Sequence, residues 1–203
     1  MDRRIEFEKI TRTIKSDELL HVFDKYKTLL ILCLKAKEHA LADKTGKYLI
    51  DIALDIVGKK KQKRENSIKE YFDTVQKDLE DNVILNLVAK FEKLVFTILP
   101  TAINNSKIIL NSHYIGHEPF ASSIKSFVKN TQDINNISGI LNILSGSISV
   151  TTENRLKEIV DYRHRIAHGK RFGKESQLTV LEVLETLDET LELVFSKEST
   201  TKR

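Results

Sequence analysis

The chain has 203 residues, of which 40% are hydrophobic and 31% are charged, and its net charge is +4. This length suits one domain, or one domain with an added arm, and the composition is unlike that of a disordered chain. Only 7 Gly and 2 Pro are present, which favours long helices over a turn-rich β architecture. The basic balance permits an anionic partner without requiring one. The single cysteine, Cys33, excludes an intramolecular disulfide and is predicted to be a buried core thiol.

Two segments in the first sixty residues have apolar side chains at helical spacing. The first begins at Ser16 and ends in the polar turn 43–46, and the second covers about residues 47–57. The apolar run 29–34 is far shorter than the roughly 20 residues that a membrane span needs. The N-terminus contains acidic residues and lacks the apolar segment of a secretory signal. We therefore expect a cytoplasmic protein with no membrane partner.

A cationic run follows at residues 59–64, where five of six side chains are Lys or Arg. Such a run is typical of a solvated loop or of the exposed first turn of a helix. It is also compatible with a patch that contacts phosphates. We predict a boundary here, between an N-terminal helical arm (residues 1–65) and a main helical domain (residues 66–203).

The main domain has the pattern of successive helices, with no strand pattern of comparable strength. One long helix or two consecutive ones are predicted over residues 66–99, with Pro100 as the stop. An irregular stretch is expected at 104–119 and a connector at 145–150. The remaining predicted helices cover about residues 121–129, 134–144, 152–168 and 176–196. The fold class predicted from these elements is all-α.

The predicted helix 152–168 has one anomalous position. Leu156, Ile159 and Val160 belong to a single apolar stripe, and Arg163 falls near its centre. Because an isolated buried charge is costly, this guanidinium must be hydrated, paired or facing another chain. Gly169 is the predicted end of the helix.

Two histidines lie beside the stripe. His164 and His168 are four residues apart, which places them about 40° from each other on one flank of the helix. His168 is predicted at the helix C-terminus, where the dipole favours the protonated ring. Five Lys/Arg and no acid occur between Tyr162 and Lys174. A basic ridge with an ionisable imidazole suits a phosphodiester, although an ordinary exposed helix end would have the same composition.

The order Arg163, four residues, His168 and Gly169 resembles the catalytic signature of the HEPN ribonuclease superfamily. The flanking segments 155–162 and 178–184 are similar to the helices that enter and close that motif. Upstream, residues 86–93 resemble the helix that supplies an apolar face and one acid. The likeness covers roughly residues 75–195 and is nearest to the group that includes the RiboL-PSP-HEPN type.

The resemblance implies an HEPN-like helical bundle, here with an additional N-terminal helical arm, that forms a homodimer. In that family two copies of the motif form one composite cleft, which cleaves RNA without a metal or other cofactor. His168 is then the acid or base, and Arg163 stabilises the phosphorane-like transition state. The products would be a 2′,3′-cyclic phosphate and a 5′-hydroxyl. Relatives often occur in toxin–antitoxin and anti-phage systems, so a cognate antitoxin or nucleotidyltransferase is an expected partner besides RNA.

Further residues receive weaker assignments from the same resemblance. His164 and Glu92 are predicted to support the site, although the family most often has Asn or Asp where this chain has His164. Three cations around the motif are predicted to contact RNA: Arg165, Lys170 and Arg171.

Two alternatives compete with the nuclease interpretation. His164 and His168 have the spacing of two zinc ligands on one helix face, and His113, His117 or Glu118 could complete the set. No Glu follows His164, however, and the cationic surroundings disfavour a divalent ion. The other alternative is a non-catalytic HEPN domain that acts as a dimeric binding or regulatory module.

Overall fold

A computed structural model describes residue 7, residues 11–43, residue 54 and residues 61–113, 137–144, 148–169 and 178–196. Five α-helices of eight or more residues follow one another in this part of the chain, and no strand occurs in it. They are α1 (Asp17–Ala42), α2 (Lys61–His113), α3 (Ile137–Leu144), α4 (Val150–Ala167) and α5 (Val180–Ser196). The predicted all-α class is confirmed for the described residues.

Helix α1 begins where local chemistry predicts. The Ser16 hydroxyl accepts a hydrogen bond from the Leu19 amide, and Asp17 and Glu18 place negative charge at the positive end of the helix dipole. The buried side of the helix then presents apolar residues at spacings of three and four, beginning with Leu19 and Phe23. The second predicted helix, residues 47–57, lies outside the described residues apart from residue 54.

Helix α1 runs antiparallel to α2 and shares its core. At one end the Arg64 guanidinium donates to the Ala40 carbonyl in the last turn of α1 (2.9 Å), and Lys37 pairs with Asp73 (2.6 Å). Phe23 lies in the same apolar cluster as residues of α2, α3, α4 and α5. Residues 17–42 of the predicted arm therefore pack into the core of the main domain. The predicted boundary at 65/66 falls within the first two turns of α2.

The prediction that Pro100 ends its helix is wrong. Helix α2 continues through this residue to His113, so residues 104–113, which were expected to be irregular, are helical. Proline removes one amide donor, and its ring crowds the preceding turn, which usually stops a helix. Here a long helix on both sides supplies the remaining backbone hydrogen bonds, and the local penalty is tolerated.

The later helices agree with the sequence within a few residues. Helix α3 starts three residues after its predicted start, α4 begins two residues before its own, and α5 begins four residues after. The helix expected at 121–129 lies outside the described residues. None of the described helices is long and apolar enough to cross a membrane.

Cys33, predicted to be a buried core thiol, packs against a small core cluster of Ala40, Ile68 and Phe72 but is not fully buried. The side chain is only partly buried, and its neighbours Ile31 and Leu32 are exposed. Partial burial raises the pKa of the Cys33 thiol, and the nearby charge of Lys37 opposes this shift. The apolar run 29–34 thus presents leucines to the surface as well as to the core.

A buried carboxylate joins the two ends of the described fold. Asp188 of α5 accepts hydrogen bonds from the backbone amides of Lys15 (3.0 Å) and Ser16 (2.8 Å), just before α1 starts. A surface ion pair between Lys15 and Glu192 lies beside them. The Asp188 carboxylate therefore positions the start of α1 across 172 residues of sequence.

We predict that Asp188→Ala lowers the free energy of unfolding by about 1–3 kcal/mol, because two partly buried amides lose their acceptor. Urea denaturation at neutral pH measures the difference. Glu189→Ala, an exposed neighbour on the same helix, is the control and is expected to stay within about 0.5 kcal/mol of the wild type. Equal stability of Asp188→Ala and Glu189→Ala would contradict the anchoring role.

Helix α5 begins with a reciprocal cap. The Glu182 carboxylate accepts from the Thr179 amide (2.9 Å) and hydroxyl (2.8 Å), and the Glu182 amide donates back to the Thr179 hydroxyl (3.2 Å). The Thr179 backbone bond, together with the Thr179 hydroxyl and the charge of Arg155, lowers the pKa of Glu182, while partial burial opposes the shift.

This cap predicts a pH dependence of stability. Because the pKa of Glu182 is lower in the folded chain, its contribution is present above the ordinary glutamate pKa and disappears as the pH falls through the lowered value. We expect Glu182→Gln to destabilise the chain near pH 7 and to make little difference near pH ~3. Thermal denaturation of the wild type and of Glu182→Gln across this pH range measures the difference in stability. A difference that stays constant with pH would contradict the prediction.

Candidate functional site at the end of the fourth helix

Local chemistry fixes both ends of α4. The Ser149 hydroxyl accepts from the Thr152 amide (3.1 Å) at the start. At the other end the His168 amide donates to the His164 carbonyl (3.1 Å), and the Gly169 amide donates to the Ile166 carbonyl (2.9 Å). Gly169 has φ +68°, a left-handed conformation that favours glycine. The predicted stop at Gly169 is confirmed, and the motif occupies the last turns of the helix.

The three central motif side chains differ in their exposure. His164 and His168 are exposed, and Arg163 is half-buried. Within the described residues, none of these three side chains has a hydrogen-bond or ion-pair partner. Both imidazoles are thus exposed and the guanidinium is partly exposed, without a partner in the described part of the chain.

The buried arginine of this helix is Arg165 and not Arg163. Its side chain is 8% exposed, whereas the sequence placed it among surface residues that contact RNA. The guanidinium carbon lies 5.1 Å from the centre of the Tyr162 ring, so the charge stacks on an aromatic face. Such a contact is worth about 1–2 kcal/mol when it is shielded from water. The Arg165 Nε has no hydrogen-bond partner among the described residues.

Tyr162, next to Arg163 in the chain, connects α4 to α2 through a buried polar network. Its hydroxyl donates to the Asp81 carboxylate (2.7 Å) and accepts from the Lys77 ammonium (2.9 Å). Tyr162 and Asp81 are both almost fully buried. Lys77 also lies 5.5 Å from the centre of the same ring, so two cations flank one aromatic side chain.

The charge states of this network follow from its contacts. Burial raises the pKa of Tyr162, and its bond to Asp81 acts in the same direction while Lys77 opposes it. The hydrogen bond to Tyr162 raises the pKa of Lys77, against the opposing effect of partial burial. At neutral pH the phenol therefore stays neutral and the ammonium stays charged. The network holds α4 at one rotation about its axis, which decides where the motif side chains point.

Glu92, predicted to support the site, contacts a helix start. Its carboxylate accepts from the Ile137 amide (2.8 Å), at the first residue of α3. The first amides of a helix lack partners within the helix, and a carboxylate there also satisfies the dipole. The sequence gives no sign of this contact, because the two residues lie 45 positions apart.

Helical geometry separates the two predicted catalytic residues. A spacing of five residues places Arg163 and His168 about 140° apart around the axis of α4, whereas His164 and His168 are about 40° apart. Arg163 lies on the side of Leu156 and Val160, and the histidines lie on the adjoining flank. One copy of the helix therefore presents the guanidinium and the imidazole of His168 in different directions.

The remaining predicted site residues lie beyond what the structure describes. Lys170 and Arg171 fall outside the described residues, as do two of the further zinc ligands considered, His117 and Glu118. In the described part of the chain, no group of three or more His, Cys, Asp or Glu side chains is arranged to hold a metal ion.

Of the cationic run, Lys61 and Lys63 are exposed on the first turn of α2, and Arg64 caps α1.

Comparison with protein-family models, curated proteins and solved structures gives no match to this chain.

The buried network gives a stability prediction. Tyr162→Phe keeps the ring beneath Arg165 but removes the hydroxyl that bridges Asp81 and Lys77. We expect the free energy of unfolding to fall by about 1–3 kcal/mol, because a buried carboxylate loses a donor. Tyr71→Phe, which alters a largely exposed tyrosine of α2, is the matched control in the same urea titration. If the two variants lose equal stability, the network does not hold α4 in place.

Proposed function

We propose that the chain is a metal-independent endoribonuclease whose site combines Arg163 and His168 at a homodimer interface. The observation that supports this most is that buried side chains hold α4 in place, while ionisable side chains near its C-terminus have no partner among the described residues. Tyr162 and Arg165 are buried and fix α4, while Arg163, His164 and His168 have no partner among the described side chains. A rigid helix that presents unpaired ionisable groups suits general acid–base chemistry.

The chemistry follows from the residue types. A histidine side chain such as that of His168 can accept a proton from the ribose 2′-OH or donate one to the leaving 5′-oxygen. The Arg163 guanidinium can stabilise the extra negative charge on the phosphorane-like transition state. Attack by the 2′-oxygen yields a 2′,3′-cyclic phosphate and a 5′-hydroxyl.

In this proposal the ribonuclease site is complete only when a second copy of the chain is present. The separation of about 140° between Arg163 and His168 on one helix is unfavourable for a shared phosphate contact in one copy. Two α4 helices related by a twofold axis can instead bring Arg163 of one copy near His168 of the other. His164, on the same flank as His168, is assigned a supporting role.

The proposed biological role rests on the sequence resemblance to HEPN ribonucleases. We infer a toxin or anti-phage effector, with RNA as substrate and an antitoxin or nucleotidyltransferase as the expected regulator. A non-catalytic dimeric HEPN module is the alternative, and the same experiment distinguishes the two.

The nuclease proposal predicts that purified protein cleaves single-stranded RNA in the presence of EDTA. His168→Ala and Arg163→Ala should each lower the cleavage rate by at least about 10²-fold, the usual contribution of an acid–base or charge-stabilising group. Denaturing gels and end-group analysis of the products measure both the rate and the cyclic phosphate.

The control is His21→Ala, which removes an exposed histidine of α1 and should cleave at the wild-type rate. Circular dichroism establishes that each variant is folded. If the wild type and His168→Ala are indistinguishable on a panel of RNAs and tRNAs, the catalytic assignment fails. Retained dimerisation without cleavage would support the binding module instead.

A further inference from the structure

A groove runs between α1 and α2, and none of its lining residues belongs to the proposed ribonuclease site. Its volume is about 520 Å³, and apolar side chains of both helices form its floor, among them Val22, Leu29, Leu79 and Val83. Leu29 is 49% exposed, so part of its side chain is accessible in the groove. An apolar depression of this kind is favourable for the binding of an apolar side chain from a partner.

The rim of this groove has one sign of charge. Lys25 of α1 and Lys90 and Lys93 of α2 line it, together with Asn82 and Asn86, and none of the lining residues is acidic. Within the described part of the chain, these three lysines have no ion-pair partner. By contrast, Lys27 and Lys37 of α1 each pair with an aspartate. The groove is thus apolar below and positive above.

We propose that this groove binds an amphipathic α-helix of a partner protein, with an apolar stripe bordered by Asp or Glu. Two antiparallel helices leave a channel into which a third helix can pack its side chains. On α2 the lining residues extend from Leu79 to Lys93, which corresponds to about 21 Å of helix axis, and on α1 they extend from Val22 to Leu29, which corresponds to about 10 Å. Carboxylates on the borders of that helix would meet the three lysines.

The floor distinguishes this occupant from nucleic acid. An RNA surface presents phosphates to lysines and bases to exposed aromatic rings or guanidinium planes. The only aromatic side chain in the lining, Tyr26, is 6% exposed, and the floor is otherwise aliphatic. Aliphatic side chains match the leucines and isoleucines of an amphipathic helix, so the observations favour a protein partner.

The test uses a fluorescein-labelled, hydrocarbon-stapled peptide of about 16 residues, with leucines at spacings of three and four and glutamates on both borders. Fluorescence anisotropy with the full chain should give saturable binding below roughly 100 μM. The same peptide with lysine in place of every glutamate should bind at least about tenfold more weakly, and added salt should weaken the acidic peptide.

Paired variants locate the binding. Lys25→Glu with Lys93→Glu should weaken the acidic peptide at least about tenfold, whereas Lys35→Glu with Lys69→Glu, the same charge change at exposed positions outside the groove, should not. Leu29→Asp should also weaken binding, and Ile31→Ser, at an exposed position of α1 outside the groove lining, should not. Melting temperatures close to that of the wild type identify the variants that are folded.

Equal binding of the acidic and lysine peptides, or equal effects of the groove and control variants, would overturn the proposal. So would binding of a single-stranded RNA that is lost in the groove variants and displaces the peptide, since the groove would then be a nucleic-acid surface. None of these results depends on RNA cleavage, so the two proposals can fail separately.

Discussion

The hydrogen bond between the Tyr162 hydroxyl and the Asp81 carboxylate determines how the fourth helix meets the rest of the molecule. Both groups are almost fully buried, and the Lys77 ammonium donates a hydrogen bond to the same Tyr162 hydroxyl. Because an unsatisfied buried carboxylate is costly, rotation of α4 about its axis is strongly disfavoured. In the same arrangement Arg165 is buried against the tyrosine ring, Arg163 is half-buried and the two histidines are exposed.

The all-α class and several helix ends could be predicted from local chemistry, because helix starts and stops depend on neighbouring residues. Ser16 and Gly169 are examples, and both act through hydrogen bonds within four residues. Pro100 shows the limit of this approach: its local preference to end a helix is weaker than the contribution of the long helix around it. Cys33 shows another, since an apolar run alone does not reveal which of its side chains face the core.

The end of the helix that carries the candidate site could be predicted, whereas the surroundings of its side chains could not. Arg165 is more deeply buried than Arg163, which the helical pattern does not show, because the pattern contains no information about the Tyr162 ring that shields the guanidinium. The sequence did contain one sign of this contact, because residues three apart on a helix, such as Tyr162 and Arg165, lie side by side. Whether that pair is buried depends on its packing against α2, which the sequence does not show. Glu92 and Asp188 act through partners 45 and 172 residues away, which no local pattern can show.

The central claim of the proposed mechanism is that Arg163 and His168 act together from two copies of the chain. Mixing Arg163→Ala chains with His168→Ala chains tests it most directly, after unfolding and refolding to exchange the subunits. Each variant alone should be inactive on RNA, and the mixture should recover a measurable fraction of wild-type cleavage, because a mixed dimer retains one intact Arg163–His168 pair across its interface. A mixture that remains inactive, although the mixed dimer forms and the wild type cleaves, would contradict a site shared in this way.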